Sequence, residues 1–502
     1  MESISRREAL AGTGLVVLAG AAGLQAQRMD AAHKAAAAGA PDWAQLARAL
    51  RGRLLRPGDT GYATASVPYN HRYAYIKPGG VALCADAADI AVALRWARHY
   101  AVPFAARSGG HSYGGYSASR GLVISTARMN SVRVNREAMT ITVGAGARNA
   151  DLYAGLAGTG VAAPSGRCPT VAVSGLLLGG GFGFASRHLG LTCDHLLETE
   201  VVTAAGEILR VTPRSHPDLF WACQGGGGGN FGINTGYRLR ATRVGEVSVY
   251  KLSWPWRQAA TVLDAVQRLM SGAPDTLSCR VGLGVSGGGH ATAGPPVRTV
   301  DALGLYFGPS RELSDLLSPV RAAAWPSEQL IEDREYVAAQ SLLARSVPAG
   351  RFASKSRFLA SALPGGGVDA AIRWLERWPA SSNPSGAGVT IFAWGGRIRR
   401  VAPQQTAFVH RDPAFLMDTE TTWTARDSKR VVAANLDWLA GIYDALAGYG
   451  MRQAYQNFID PSLADWKRAY YGENLPRLVR VKRRYDPDDA FRFAQSIPEQ
   501  LR

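Results

Sequence analysis

Two side chains with nucleophilic or anchoring chemistry stand in unusual local settings. His111 follows two glycines in Arg107-Ser108-Gly109-Gly110-His111-Ser112, and Cys168 precedes a proline in Gly166-Arg167-Cys168-Pro169-Thr170-Val171. Singly, each has an ordinary explanation: a turn histidine and a small buried hydrophobe. The glycine clusters around them add weight. They are Gly109-Gly110, Gly114-Gly115, Gly179-Gly180-Gly181 with Gly183, and Gly225 through Gly229 with Gly232, within a total of 57 glycines in 502 residues. Such runs let backbone N–H groups approach a phosphate with no Cβ in the way.

Other chemistries fail on context. A P-loop needs a closing Gly-Lys-Ser/Thr, which is absent. A dinucleotide fingerprint follows a strand, whereas the run at Gly225 follows the helical Asp218-Leu219-Phe220-Trp221-Ala222. Gly284-Val285-Ser286-Gly287-Gly288 matches a serine-hydrolase elbow in letters only. That elbow needs a helix directly after its serine, and Gly294-Pro295-Pro296 precludes one. The five cysteines (Cys84, Cys168, Cys193, Cys223 and Cys279) show no CxxC pair and no zinc spacing, so no metal site is expected. Their odd number leaves at least one thiol over, whatever disulfides form.

The elements that must position these residues follow from periodicity. Ile90, Ala93, Leu94 and Ala97 predict a helix over residues 86–99. Phe104-Ala105-Ala106, Leu122 to Ile124 and the alternating Met139 to Val143 predict strands. Glu200 to Thr203 and Ile208 to Val211, joined by Ala205-Gly206, predict a hairpin. One α+β domain thus runs to about Arg240. Between residues 246 and 425 strands alternate with helices such as Val368 to Trp378, and Ser286 to Pro296 is a glycine-rich loop. Asp427 or Ser428 caps a long helix that continues through Trp438 to Gly448. There is no fixed-period repeat and no low-complexity linker.

Composition bounds the partners. With 47% hydrophobic and 19% charged residues the chain is globular. A net charge of +17 invites nucleic acid, but the basic residues are scattered without interleaved aromatics, so no nucleic-acid partner is expected. Beyond residue 30 no unbroken apolar run is long enough to span a bilayer, so no stable membrane insertion is expected. Residues 1–27 carry Arg6-Arg7 before an apolar run from Ala9 to Leu24, the pattern of a twin-arginine export signal, which predicts an extracellular or periplasmic protein.

Several motifs in order resemble the berberine-bridge-enzyme-like FAD-linked oxidases of the vanillyl-alcohol-oxidase (PCMH) superfamily. They are Arg107-Ser-Gly-Gly-His-Ser-Tyr113, Cys168-Pro-Thr-Val171, Gly179-Gly-Gly-Phe-Gly183, Asp218-Leu-Phe-Trp221 and Gly226-Gly-Gly-Gly-Asn-Phe-Gly232. Tyr470-Tyr-Gly-Glu-Asn474, Arg477-Leu478, Val481-Lys-Arg-Arg-Tyr-Asp-Pro487, Phe491-Arg492 and Gln495-Ser-Ile497 continue the match at the other end. The resemblance implies an α+β fold. A PCMH-type FAD-binding domain would comprise residues 66–245, a central α+β substrate domain with an antiparallel sheet residues 246–449, and a completing C-terminal segment residues 450–502.

The same resemblance implies FAD bound bicovalently, from His111 to the 8α-methyl and from Cys168 to C6. That is the subgroup of the glycopeptide hexose oxidases, aclacinomycin oxidoreductase and tirandamycin oxidase. Arg107, Ser108, Gly109, Gly110, Ser112, Val171, Gly175, Gly179, Gly180, Gly181, Gly232 and Asn457 are the further cofactor-binding positions. A hydride passes from a substrate C–H to flavin N5, and O2 reoxidises the flavin to give hydrogen peroxide. Val171 matches oxidases at the oxygen-gating position. Tyr455, opening Tyr455-Gln456-Asn457-Phe458, is the first candidate base; Asp418 is the second, and Tyr113 lines the pocket. A phenol titrates at about 10 in water, so Tyr455 needs cationic or desolvating help to act as a base near neutrality.

Departures from the family pattern are Leu176 for a common histidine, Phe458 for a tyrosine, and Phe392 near where some sugar oxidases carry an acid. The implied partners are O2 and a small molecule, an alcohol on a sugar or glycosylated natural product. The implied assembly is a monomer or homodimer. An oxidative cyclase or a dehydrogenase with another acceptor is the alternative within flavoenzymes, and a flavin-free binding protein the alternative outside them.

Overall fold

The computed structural model describes residues 39–288 and 295–501. The export signal expected at 1–27 therefore lies outside the described residues, as does part of the loop expected at 286–296. Among the described residues no helix is long and apolar enough to cross a membrane.

The α+β expectation holds. The first sheet joins β1 (Arg53–Leu55), β2 (Gly80–Leu83), β3 (Phe104–Arg107) and β4 (Leu122–Ser125) in the order β1-β2-β4-β3. β4 runs parallel to both β2 and β3. The crossover between β2 and β3 is the helix Ala87–His99. Asp86 caps it by accepting from the Asp89 N–H, and the Asp89 carboxylate accepts the N–H groups of Arg51, Gly52 and Ala85. Its apolar stripe, Ile90, Ala93, Leu94 and Ala97, is wholly buried.

A five-stranded antiparallel sheet follows, from β5 (Val132–Asn135), β6 (Thr140–Gly144), β8 (Leu196–Val202), β9 (Ile208–Val211) and β10 (Ile233–Arg240), in the order β5-β6-β10-β8-β9. β7 (Val161–Ala162) and β11 (Thr242–Arg243) form a separate two-stranded ladder. The hairpin predicted after Glu200 is β8–β9.

From Glu246 the chain builds one seven-stranded antiparallel sheet. Its strands are β12 (Glu246–Trp254), β13 (Arg280–Ser286), β14 (Val297–Tyr306), β15 (Glu328–Glu335), β16 (Arg351–Leu359), β17 (Ala387–Ala393) and β18 (Phe415–Trp423), in the order β15-β12-β14-β13-β17-β18-β16. The helices Ala259–Gly272, Ser310–Ala323, Gly365–Glu376 and Lys429–Ala445 cover one face. Strand alternation sorts the side chains: Phe415 and Met417 join the core under those helices, while Leu416 joins the core shared with the first unit. Ser428 caps the last helix, as expected. The helix predicted at 368–378 instead starts at Gly365 and ends at Glu376. Poor helix formers are tolerated in a first turn next to Pro364, and Trp378 leaves the helix to bond its indole N–H to Asn435.

The C-terminal segment returns to the first unit. Its 11-residue helix Leu475–Tyr485 carries Lys482, whose side chain has no exposed surface. Its ammonium donates to the Asn230 carbonyl (3.1 Å), Asp486 (2.7 Å) and the Phe491 carbonyl (2.7 Å), with Asp489 at 3.0 Å. Arg477 stacks on Trp221 (4.1 Å) and bonds Asp218, which explains the spacing of the Asp218-Leu-Phe-Trp221 motif. Removing one partner of a buried ion pair leaves the other charge uncompensated. Lys482→Ala should therefore cost about 3–5 kcal/mol in a denaturant-unfolding measurement, and a loss below about 1 kcal/mol would remove the staple assigned to it.

Candidate active site

A single cavity of about 830 Å³ lies between the glycine loops of the first unit, the open face of the seven-stranded sheet and the C-terminal segment. β3 ends at Arg107 and delivers Ser108-Gly109-Gly110-His111 to its wall. Glycine is required at both intervening positions. A Cβ on Gly109 would stand 2.7 Å from the Ala172 nitrogen, and Gly110 has φ +72°. His111 stacks on Tyr69 with ring centroids 3.7 Å apart, and its Nε2 lies 3.1 Å from the Thr170 Oγ1. Burial, reinforced by Arg148, pushes its pKa down to about 4 against the hydrogen bond with Thr170. The imidazole is thus neutral at neutral pH, with a lone pair available.

Cys168 lines the same cavity, two residues before that threonine. Its carbonyl accepts from the Asn149 side chain (2.9 Å) and from the Val171 N–H. All five thiols are free, and Cys168 alone is not fully buried, which answers the odd cysteine count.

The cavity wall also carries unclaimed polar atoms. Arg107 donates to the Ser117 and Ala65 carbonyls but leaves Nη2 buried and unpartnered. Ser117 Oγ, Thr126 Oγ1 and Gln456 Oε1 are likewise buried, unpartnered and on the cavity wall. Buried polar groups are rarely left so. A Cβ on Gly175 would meet open space. A spare guanidinium N–H, hydroxyls, bare glycine backbone and the side chains of His111 and Cys168 form a set that fits FAD.

Most of the predicted cofactor positions, including Ser108, Ser112, Val171, Gly175, Gly232 and Asn457, line this cavity. Gly179, Gly180 and Gly181 are not on its wall. They pack behind it, where a Cβ would stand 2.1 Å from Asn457 Oδ1, 2.6 Å from Phe408 and 2.5 Å from Thr192 Oγ1. Leu176, Phe392 and Phe458, the family departures, all line the cavity.

On the opposite wall β18 presents Asp418 and, two residues on, Glu420 on the same face. The Ser354 hydroxyl, from neighbouring β16, donates to Asp418, and Arg345 pairs with Glu420 at 2.7 Å. Burial, with the charge of Glu420, pushes Asp418 up to about 7, opposed by Ser354, Arg345 and Arg167. Ser354, Arg345 and Glu420 were not singled out in the sequence. Period-2 counting from Asp418 would have found Glu420, whereas no local pattern marks the other two.

Tyr455 enters from the C-terminal segment, its backbone N–H donating to the Ser356 Oγ. Its phenol oxygen accepts from the Gly181 N–H (3.1 Å) and the Asn457 amide (2.9 Å). Burial still pushes its pKa well above the usual phenol range, and no cation stands among the groups that act on it. Tyr113 stacks on Phe458 (5.4 Å between centroids), and burial raises its pKa strongly too.

A model described as "FAD binding domain" matches residues 78–212, and one described as "Berberine and berberine like" matches residues 454–498. The chain is 34% identical over 457 residues to the uncharacterised FAD-linked oxidoreductase YgaK of Bacillus subtilis, covering 89% of this chain and 97% of that one. It is 30% identical over 470 residues to the xylooligosaccharide oxidase of Thermothelomyces thermophilus, covering 87% and 90%. The solved structure of BBE-like 1 from Physcomitrella patens superposes with a TM-score of 0.81 at 27% identity, over 91% of this chain and 99% of that one.

The packing of Gly179 makes a direct test of how the site is buttressed. Gly179→Ala drives its methyl into Asn457, which donates to Tyr455. It should destabilise the protein by about 1–3 kcal/mol by chemical denaturation, while Gly175→Ala, facing open space, should cost less than about 1 kcal/mol.

Proposed function

Because the chain belongs to the berberine-bridge-enzyme-like family of FAD-linked oxidoreductases, we propose that it is an oxidase of a small-molecule alcohol, carried on a sugar or a glycosylated natural product. His111 and Cys168 would hold the FAD by two covalent bonds. FAD, once bound, supplies the acceptor for a hydride from the substrate carbon and passes the electrons to O2, releasing H2O2. The observation that carries this proposal is that His111, Cys168, Asp418 and Tyr455 line one cavity.

Of the two candidate bases, Asp418 is the better supported, reversing the order taken from the motifs. A general base works best with a pKa near the working pH, and Asp418 stands at about 7 whereas Tyr455 lies far above. Asp418 takes the hydroxyl proton of the substrate. Ser354 fixes the carboxyl by donating to one oxygen, leaving the other toward the cavity. Tyr455, with two N–H groups already directed at its oxygen, keeps its own O–H for the substrate oxygen and orients it. Export through the twin-arginine route, on Arg6-Arg7 and the apolar run behind them, completes the proposal.

The attachment is tested by acid denaturation. Flavin absorption should stay with the wild-type pellet and appear in the supernatant only when both His111 and Cys168 are replaced. Release from the wild-type protein would disprove both links. Peroxide formed in step with substrate oxidation separates the oxidase from a dehydrogenase. The base is tested by the pH profile. Only the ionised carboxylate accepts a proton, so kcat/KM should fall about tenfold per unit below pH 7 and level off above it. Asp418→Asn should lower kcat/KM by about 10²- to 10⁴-fold and abolish that limb; an unchanged limb would return the role to Tyr455.

A further inference from the structure

One corner of the cavity holds a guanidinium that the chemistry above does not use. Three arginines, Arg167, Arg280 and Arg345, act electrostatically on one another there. Glu420 is taken by Arg345, and Asp301 pairs with Arg280. Asp418 is engaged by the Ser354 hydroxyl. Arg167 is left over. Its backbone is fixed, the carbonyl accepting the Arg345 N–H at 3.2 Å, and its guanidinium lies 5.6 Å over the Phe392 ring on the cavity wall. Among the described residues none bonds its guanidinium, and no carboxylate oxygen comes within 4.0 Å. A guanidinium stays charged, carries five N–H donors in a planar fork and matches a carboxylate with two parallel bonds. Arg411, by contrast, grips Asp194 through bonds of 2.9 and 2.8 Å.

We propose that Arg167 binds a carboxylate of the substrate, so that the alcohol oxidised here is borne by an acidic molecule of the uronic-acid class. The inference rests on the oxidase proposal and specifies its substrate. The acid would lie against the Phe392 platform with its carboxylate on Arg167 and its reacting hydroxyl toward Asp418 on the same wall. Arg345 cannot replace Arg167 in this role while Glu420 holds it. A second anion at Arg167 leaves both existing ion pairs intact.

The test compares binding of D-glucuronate, D-galacturonate and an aldobiouronic acid with that of their neutral counterparts to the flavin-loaded protein, by flavin difference spectra and calorimetry. Each acid should bind at least about tenfold more tightly than its neutral partner, a preference weakened by salt. Arg167→Gln should collapse that ratio to near unity, and Arg167→Lys, which keeps charge without the fork, should retain part of it. Acids that bind no better than neutral sugars, or an acid preference that survives Arg167→Gln, would overturn the proposal. So would an Arg167→Gln variant whose only defect is reduced flavin linkage at Cys168, since Arg167 would then serve the neighbouring thiol. Arg167-dependent binding without peroxide would leave this assignment standing and remove the oxidase reading instead.

Discussion

A single ammonium with no exposed surface holds the C-terminal segment of this chain against the glycine loops of the first unit. Transferring a charge from water into a protein interior costs several kcal/mol, so Lys482 can stay charged there only because oxygens from three separate places surround it. One of these, the Asn230 carbonyl, belongs to the glycine run that borders the cavity, and the Asn230 side chain in turn accepts the Ile497 N–H and donates to the Gly226 carbonyl. The last 50 residues are thereby fixed against the glycine loops. They bring Tyr455, Gln456 and Asn457 to the cavity, so the shape of the site depends on this one desolvated contact.

The opposite wall depends on parity. In an antiparallel sheet each side chain's face is set by its register, and β18 sits between β16 and β17 with Asp418 opposite Ser356 on one side and Thr390 on the other. Even-numbered residues of β18 face the cavity unit, so Glu420 pairs with Arg345 there and Asp418 lies within the field of Arg345 and Arg167. Odd-numbered ones, such as Thr421 with its bond to Asn435, face the helices. A slip of one residue would bury both carboxylates under the helices.

Much of the glycine-loop half of the cavity could be read from local sequence, because it is built of short contiguous motifs. Ser108-Gly109-Gly110-His111 is one loop and Cys168 to Val171 another, and a loop needs no distant partner to reveal its glycines. The helix after Asp86 and the β8–β9 hairpin were legible for the same reason. The glycines at 179–181 show the limit of such motifs, because a bare backbone serves close packing as readily as ligand contact, and here Asn457, Phe408 and Thr192 stand where a Cβ would go. The ranking of bases was not legible at all. Asp418 owes its raised pKa to burial and to Glu420, and its orientation to Ser354, a contact 64 residues away. Tyr455 lacks the cation it would need, which no local pattern could reveal.

The return of the chain end also fixes an order of events in time. The residues that complete the cavity, from Tyr455 through the turn around Phe491, are synthesised more than 200 residues after their partners at residues 225–234. Until those later residues emerge, the nascent chain has glycine loops without the wall that encloses them. Closing contacts 252 and 267 residues apart, as Lys482 to Asn230 and Ile497 to Asn230 require, must wait until residues 482–497 have been made and have left the ribosome. Enclosure of a large ligand in the cavity thus depends on residues made long after the glycine loops. A polypeptide shortened by even its last few dozen residues would forfeit it.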